Sequence, residues 1–191
     1  IKVIIILALV LCCSCSEQII IENDKLQEVI SQVWLDVDLA QKTFGEVETN
    51  NLNEYEEQRY RLAEAHLMLK RELRLPNSSN LDAMAYYFAN CKDEASASEA
   101  YYIQGAYLNY IGENTQAMQY LKKAESYRAA SIIRGMTYYK MGRISESEQL
   151  YDIALENYQK ALPYLEEAGL PLYLASVYRE LGRNTHEESR N

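Results

Sequence analysis

The sequence predicts an all-α fold assembled from repeated antiparallel helix pairs. Three observations carry the prediction. Small residues recur at one spacing: Gly105 and Gly135, Gly112 and Gly142, Ala117 and Ser147, and Ala124 and Ala154 each lie about 30 residues apart. Apolar residues follow the i, i+3, i+4, i+7 pattern of a helix face from Leu26 onward. Only three prolines and seven glycines interrupt 191 residues, which leaves room for long helices. Apolar residues make up 48% of the chain, enough for a sizeable core. The 17 tyrosines against two phenylalanines and one tryptophan fit a structure in which rings pack while hydroxyls stay wet.

Taken in order, Leu26, Val29, Ile30 and Val33 form one apolar face. Val37, Ala40, Phe44 and Val47 form a second, ending at the polar run 48–53. A third helix is expected from about Asn53 to Arg74, with Tyr60, Ala63, Leu67 and Leu75 on its apolar side. Pro76 and the polar residues to Asn80 stop it and cap the next helix, whose face is Leu81, Met84, Ala85 and Phe88. Lys92, Asp93 and Glu94 make a turn, and Ser96 or Ser98 is expected to cap the helix after it. A helix pair is expected over Ala95–Ile111 and Thr115–Tyr127, turning at Gly112. A second is expected over Ala129–Met141 and Ser145–Leu162, turning at Gly142, with Pro163 kinking or ending its second helix. A third first-helix, Leu170–Leu181, should end at Gly182.

This pattern resembles tetratricopeptide repeats. Tyr101, Gly105, Gly112, Ala117, Leu121 and Ala124 stand at the family's positions in one unit. Gly135, Tyr138, Gly142, Ser147, Tyr151 and Ala154 stand there in the next, and Ala175, Tyr178 and Gly182 open a third. Gln104, Arg134 and Ser131 depart from the family's usual residues. Ala40/Phe44/Val47 and Ala83/Tyr87/Asn90 resemble more divergent second-helix triplets. The resemblance implies a right-handed superhelix, an α-solenoid in which small residues sit where paired helices cross and most tyrosines pack between them. Divergent pairs would occupy residues 25–94 and clearer repeats 95–191, the last incomplete. The layout also resembles bacterial lipoproteins and periplasmic sensor ectodomains carrying such repeats.

The N-terminus reads as an export signal over residues 1–14. Lys2 precedes an apolar run from Val3 to Leu11, too short for the roughly 20 residues that span a bilayer. A chain opening on Ile1 rather than Met is expected to be preceded by further residues. The sequence Leu11-Cys12-Cys13-Ser14-Cys15-Ser16 resembles a bacterial lipobox, with Cys15 as the lipidated residue and Cys13 as the alternative. Residues 15–24 would be a tether. Membrane attachment through this lipid, at a bacterial cell envelope and facing the periplasm, is the expected address. Glu17 after Ser16 is a weak surface-export signal.

Formal net charge is −9, and no basic stripe exists to neutralise phosphates, so nucleic acid is not expected as a partner. His66 and His186 belong to no metal-ligand spacing, and Asp36-Val37-Asp38 is no calcium loop, so neither metal nor cofactor is expected. No nucleophile elbow or phosphate loop occurs. Glu56-Glu57 and Glu166-Glu167 read as solvated faces, and Cys91 as a small core residue. What remains is binding. The resemblance places Tyr102, Ala106, Asn109 and Tyr110 on a concave groove, followed by Ile132, Met136, Tyr139 and Lys140, then Leu172, Ser176 and Arg179. This lining is apolar and aromatic, which suits a helix or extended peptide better than an acidic C-terminus. The expected function is a non-catalytic scaffold for a protein or peptide partner. The alternative is the sensor part of an envelope regulator, truncated here. A glycan-binding or enzymatic lipoprotein is disfavoured by short length and a single tryptophan.

Overall fold

A computed structural model describes residues 24–72 and 79–188, with side chains placed for 25–72 and 80–184. The expected signal, Cys15, the expected tether to Asn23 and residues 73–78, Pro76 among them, lie outside these residues. All described regular structure is α-helical: α1 (Asp24–Gln32), α2 (Val37–Gly45), α3 (Glu54–Lys70), α4 (Ser79–Asn90), α5 (Glu94–Tyr110), α6 (Asn114–Glu125), α7 (Ser131–Ser147), α8 (Tyr151–Glu167) and α9 (Pro171–Glu188). Each helix packs on the one before it, and α1, α3, α5 and α7 also pack on one another in succession. The even-numbered helices flank that row. A continuous core runs from Leu26 and Val29 through Phe88, Ile103 and Leu121 to Tyr158, Leu165 and Val177, all fully buried.

Local chemistry explains the helix ends. Asn53 and Glu56 form a reciprocal capping box at the start of α3. Asp36 caps α2 by accepting from the Asp38 and Leu39 amides. α5 begins at Asp93, whose carboxylate accepts from the Ser96 amide, so neither Ser96 nor Ser98 is its cap. Four turns share one geometry. After α4, α5, α7 and α8, the residues Lys92, Gly112, Gln149 and Gly169 take φ of 60°, 88°, 62° and 67°. The next amide in each case reaches back five residues, as in Asp93 N–H to the Phe88 carbonyl and Leu150 N–H to the Ser145 carbonyl, both 2.9 Å. This is the Schellman stop, which caps carbonyls that the helix leaves unpaired.

Several expected boundaries shift. Gly142 is not a turn; it lies inside α7 at a helix crossing, where an added Cβ would sit 2.6 Å from the Tyr158 ring. Contact with α8 along this longer interface outweighs glycine's weak helix propensity, and the turn falls at Gln149 instead. Ser147 is therefore exposed at the helix end rather than at a crossing. Pro163 neither ends α8 nor sits in its core; the helix continues to Glu167 with the ring exposed. Gly182 lies within α9, which runs on to Glu188. α3 ends at Lys70, short of Arg74, and Glu72 just beyond takes φ of 56°. In α4, Ala83 and Asn90 are exposed while Ala85 and Phe88 face the core, so the triplet expected there is out of register. Gly105 and Gly135 do sit at crossings, against Leu121 and Leu165.

Candidate functional site

The residues expected to line a groove separate into three groups. Tyr102, Ala106, Met136 and Tyr139 are buried, so they pack within the protein rather than face an open channel. The reason lies in residues brought from both ends of the chain. Trp34, in the turn after α1, meets Tyr102 at 5.7 Å between ring centroids and His66 edge-on at 4.7 Å. The Trp34 ring also meets Tyr173 of α9 at 6.2 Å. Lys70 Nζ sits 3.8 Å above the Trp34 ring and donates to the Tyr173 hydroxyl at 2.7 Å. Trp34 and His66 thus pack against Tyr102 of α5, and Lys70 and Tyr173 close over Trp34.

Asn109, Ile132 and Lys140 are half-buried. Asn109 donates to Asn114, whose own amide reaches Ser147 and Glu148, tying the turn after α5 to the end of α7. Burial, aided by Arg143, holds Lys140 below the usual lysine range. Tyr110 and Arg179 are exposed, the latter paired with Glu180 at 3.0 Å. Leu172 is exposed and Ser176 half-buried, its hydroxyl donating to the Leu172 carbonyl. Cys15 lies outside the described residues.

Among the described residues, two surfaces offer a ligand clustered apolar contacts. One is the edge formed by the turns after α5 and α7, where Tyr110, Ile111, Leu150 and Ile153 are 58, 50, 49 and 47% exposed. The Asn109–Asn114–Glu148 hydrogen bonds place these turns side by side. The other is a cleft of about 460 Å³ between α1, α5, α7 and the end of α8. Ile30, Trp34, Leu35, Ile132 and Leu170 give it apolar walls, and Gln27, Arg59, Glu99 and Glu167 supply its polar groups. His66 Nδ1 and Glu99 Oε1 lie 2.6 Å apart in the buried layer behind it. The sequence does not show this pair, because 33 residues separate its members. Nor does it single out Arg59, one arginine in a charged helix.

Burial and hydrogen bonding together set the ionisation of these groups. Tyr102 is pushed far above the usual phenol range by burial, reinforced by Tyr173, Glu99 and Tyr139. Tyr120 and Tyr138 are each pushed up to about 12: Tyr120 chiefly by its bond to Asp82, Tyr138 chiefly by burial. The Tyr120 and Tyr138 hydroxyls stay neutral donors, to Asp82 and Glu125. Tyr101 stacks on Tyr127 and Tyr138 on Tyr164. Among the described residues, no group of His, Cys, Asp and Glu side chains converges as a metal site. No described helix is long and apolar enough to cross a membrane. Compared with known proteins, the chain matches no family model, no curated protein and no solved structure.

Proposed function

We propose that the chain is a non-catalytic protein-interaction scaffold, built as a right-handed tetratricopeptide-like superhelix. In this reading, lipid on Cys15 holds it at a bacterial cell envelope, facing the periplasm, where it binds a protein or peptide. One observation carries the reading. The row α1, α3, α5, α7 with alternating flanking helices is the packing that repeated helix pairs require, and it leaves an uncovered apolar edge. That edge, Tyr110, Ile111 and Leu150 above all, is the partner surface. It takes over from the groove, whose central residues are occupied by Trp34, Lys70 and Tyr173. Side-by-side turns fix these residues on one rigid rim, which limits the ordering cost of binding.

The test is affinity capture from membranes using the full chain. Tyr110, Ile111 and Leu150 changed together to Ser should lose the partner while keeping the fold, because exposed substitutions cost little stability. An unchanged set of captured proteins would remove the edge assignment. Tyr102 and Tyr139 are unsuitable probes, since their removal would damage the core. Metabolic lipid labelling that persists in the Cys15→Ser chain would overturn the anchor.

A further inference from the structure

The cleft between α1, α5 and α7 has an electrostatic imbalance that the scaffold reading does not use. Arg59 is 5% exposed yet lines the cleft. Its Nη2 donates to the neutral Gln27 side chain at 2.8 Å, and its Nε has no partner. No described carboxylate lies in ion-pair range of it. Glu99, in the same wall, is held by His66 instead. A buried guanidinium without a counter-ion is costly, and an anion placed beside it offsets that cost.

A second source of positive potential faces the same space. Ala130, at the N-cap of α7, offers no side-chain cap, and the first helical hydrogen bond runs from the Arg134 amide. The amides of Ser131, Ile132 and Ile133 are thus left at the end of a 17-residue helix, and these residues line the cleft. A helix N-terminus of this kind attracts negative charge. Ile30, Trp34, Leu35 and Leu170 supply an apolar part of the wall, and the cleft's volume falls within the range of small-molecule sites. Glu99 and Glu167 in the wall disfavour a doubly charged ligand such as a phosphate monoester.

We propose that this cleft binds a small monocarboxylate with an apolar tail, its carboxylate held by Arg59 and the α7 amides and its tail against Ile30, Ile132 and Leu170. The site is separate from the partner edge, so the proposal stands or falls independently of the scaffold reading.

Trp34 is the only tryptophan and lines the cleft, so its fluorescence reads occupancy directly. The full chain is titrated with hexanoate, hexanamide, hexylamine and hexyl phosphate. Hexanoate should give a saturable change, and the other three little or none. Arg59→Met should weaken hexanoate by about thirtyfold or more. Ser131 is the first residue of α7, where proline fits the helix but lacks the amide. Ser131→Pro should therefore weaken binding by about tenfold, and Ser131→Ala should leave it unchanged. Circular dichroism checks each fold; if Arg59→Met unfolds, the Ser131 pair decides. Equal responses to hexanoate and hexanamide, tighter binding of hexyl phosphate, or equal affinities for Ser131→Pro and Ser131→Ala would each overturn the proposal.

Discussion

Replacing Lys70 by Met should make stability less dependent on pH, in a direction fixed by the environment of the amine. Burial first, and Lys140 second, lower Lys70 from its ordinary 10.5 to about 7. At about 1.4 kcal/mol per pH unit, the charged form would cost the folded state up to roughly 5 kcal/mol. The Trp34 face 3.8 Å below Nζ opposes this, because a ring quadrupole favours the cation by ~2 kcal/mol when desolvated. Between the lowered value and 10.5 the unfolded chain binds more protons than the folded one, so stability rises with pH there. Below that window both states carry the charge, and the cost is present in full. Urea unfolding of both proteins at about pH 6 and about pH 9 measures the difference. The Lys70→Met chain should lose about 1 to 3 kcal/mol of its standing relative to the parent between these pH values. The lower figure applies if the Trp34 attraction acts in full. The bond to Tyr173 is charge-assisted only while Lys70 carries its proton, so its loss acts with the Trp34 attraction toward the lower figure. A difference that stays flat, or that grows with pH, would refute the assignment of Lys70 as a desolvated amine.

Glycines separate by surroundings. Gly135→Ala places a methyl 2.7 Å from Leu165 and 3.2 Å from its backbone nitrogen, so urea unfolding should show a net loss of about 1–2 kcal/mol. Gly182→Ala meets nothing within 4 Å inside α9 and should gain up to about 1 kcal/mol in the same assay. Gln149→Gly relieves a left-handed backbone at the end of α7 and should raise thermal stability by about 1 kcal/mol, with Lys92→Gly behaving alike. Phe88→Ala empties a fully buried site and should cost about 3–5 kcal/mol by chemical denaturation.

Helix faces were legible because burial imposes the 3.6 period directly. Leu26/Val29/Val33 and Leu81/Met84/Ala85/Phe88 fall on the core side as the spacing requires. Gly112 was legible as a turn because its φ of 88° suits glycine. Gln149 was not, since the same turn there is made by a residue without glycine's signature. Gly142 misled for the complementary reason: a glycine chosen for close helix approach looks, in sequence, like one chosen for a turn. The cleft was hidden because its parts come from residues 27 to 170, and only packing brings Arg59 to the start of α7.

The bond from Lys70 to Tyr173 joins residues 103 positions apart. In a simple row of helix pairs, each unit touches only its neighbours, and either end can fray alone. Here, loosening α9 also removes a partner from α3 and from the turn bearing Trp34. The two ends therefore share one opening equilibrium, and amides in α3 and α9 should exchange with solvent at correlated rates. A fold built from local contacts thereby acquires a long-range fastening that makes its unfolding more nearly all-or-none.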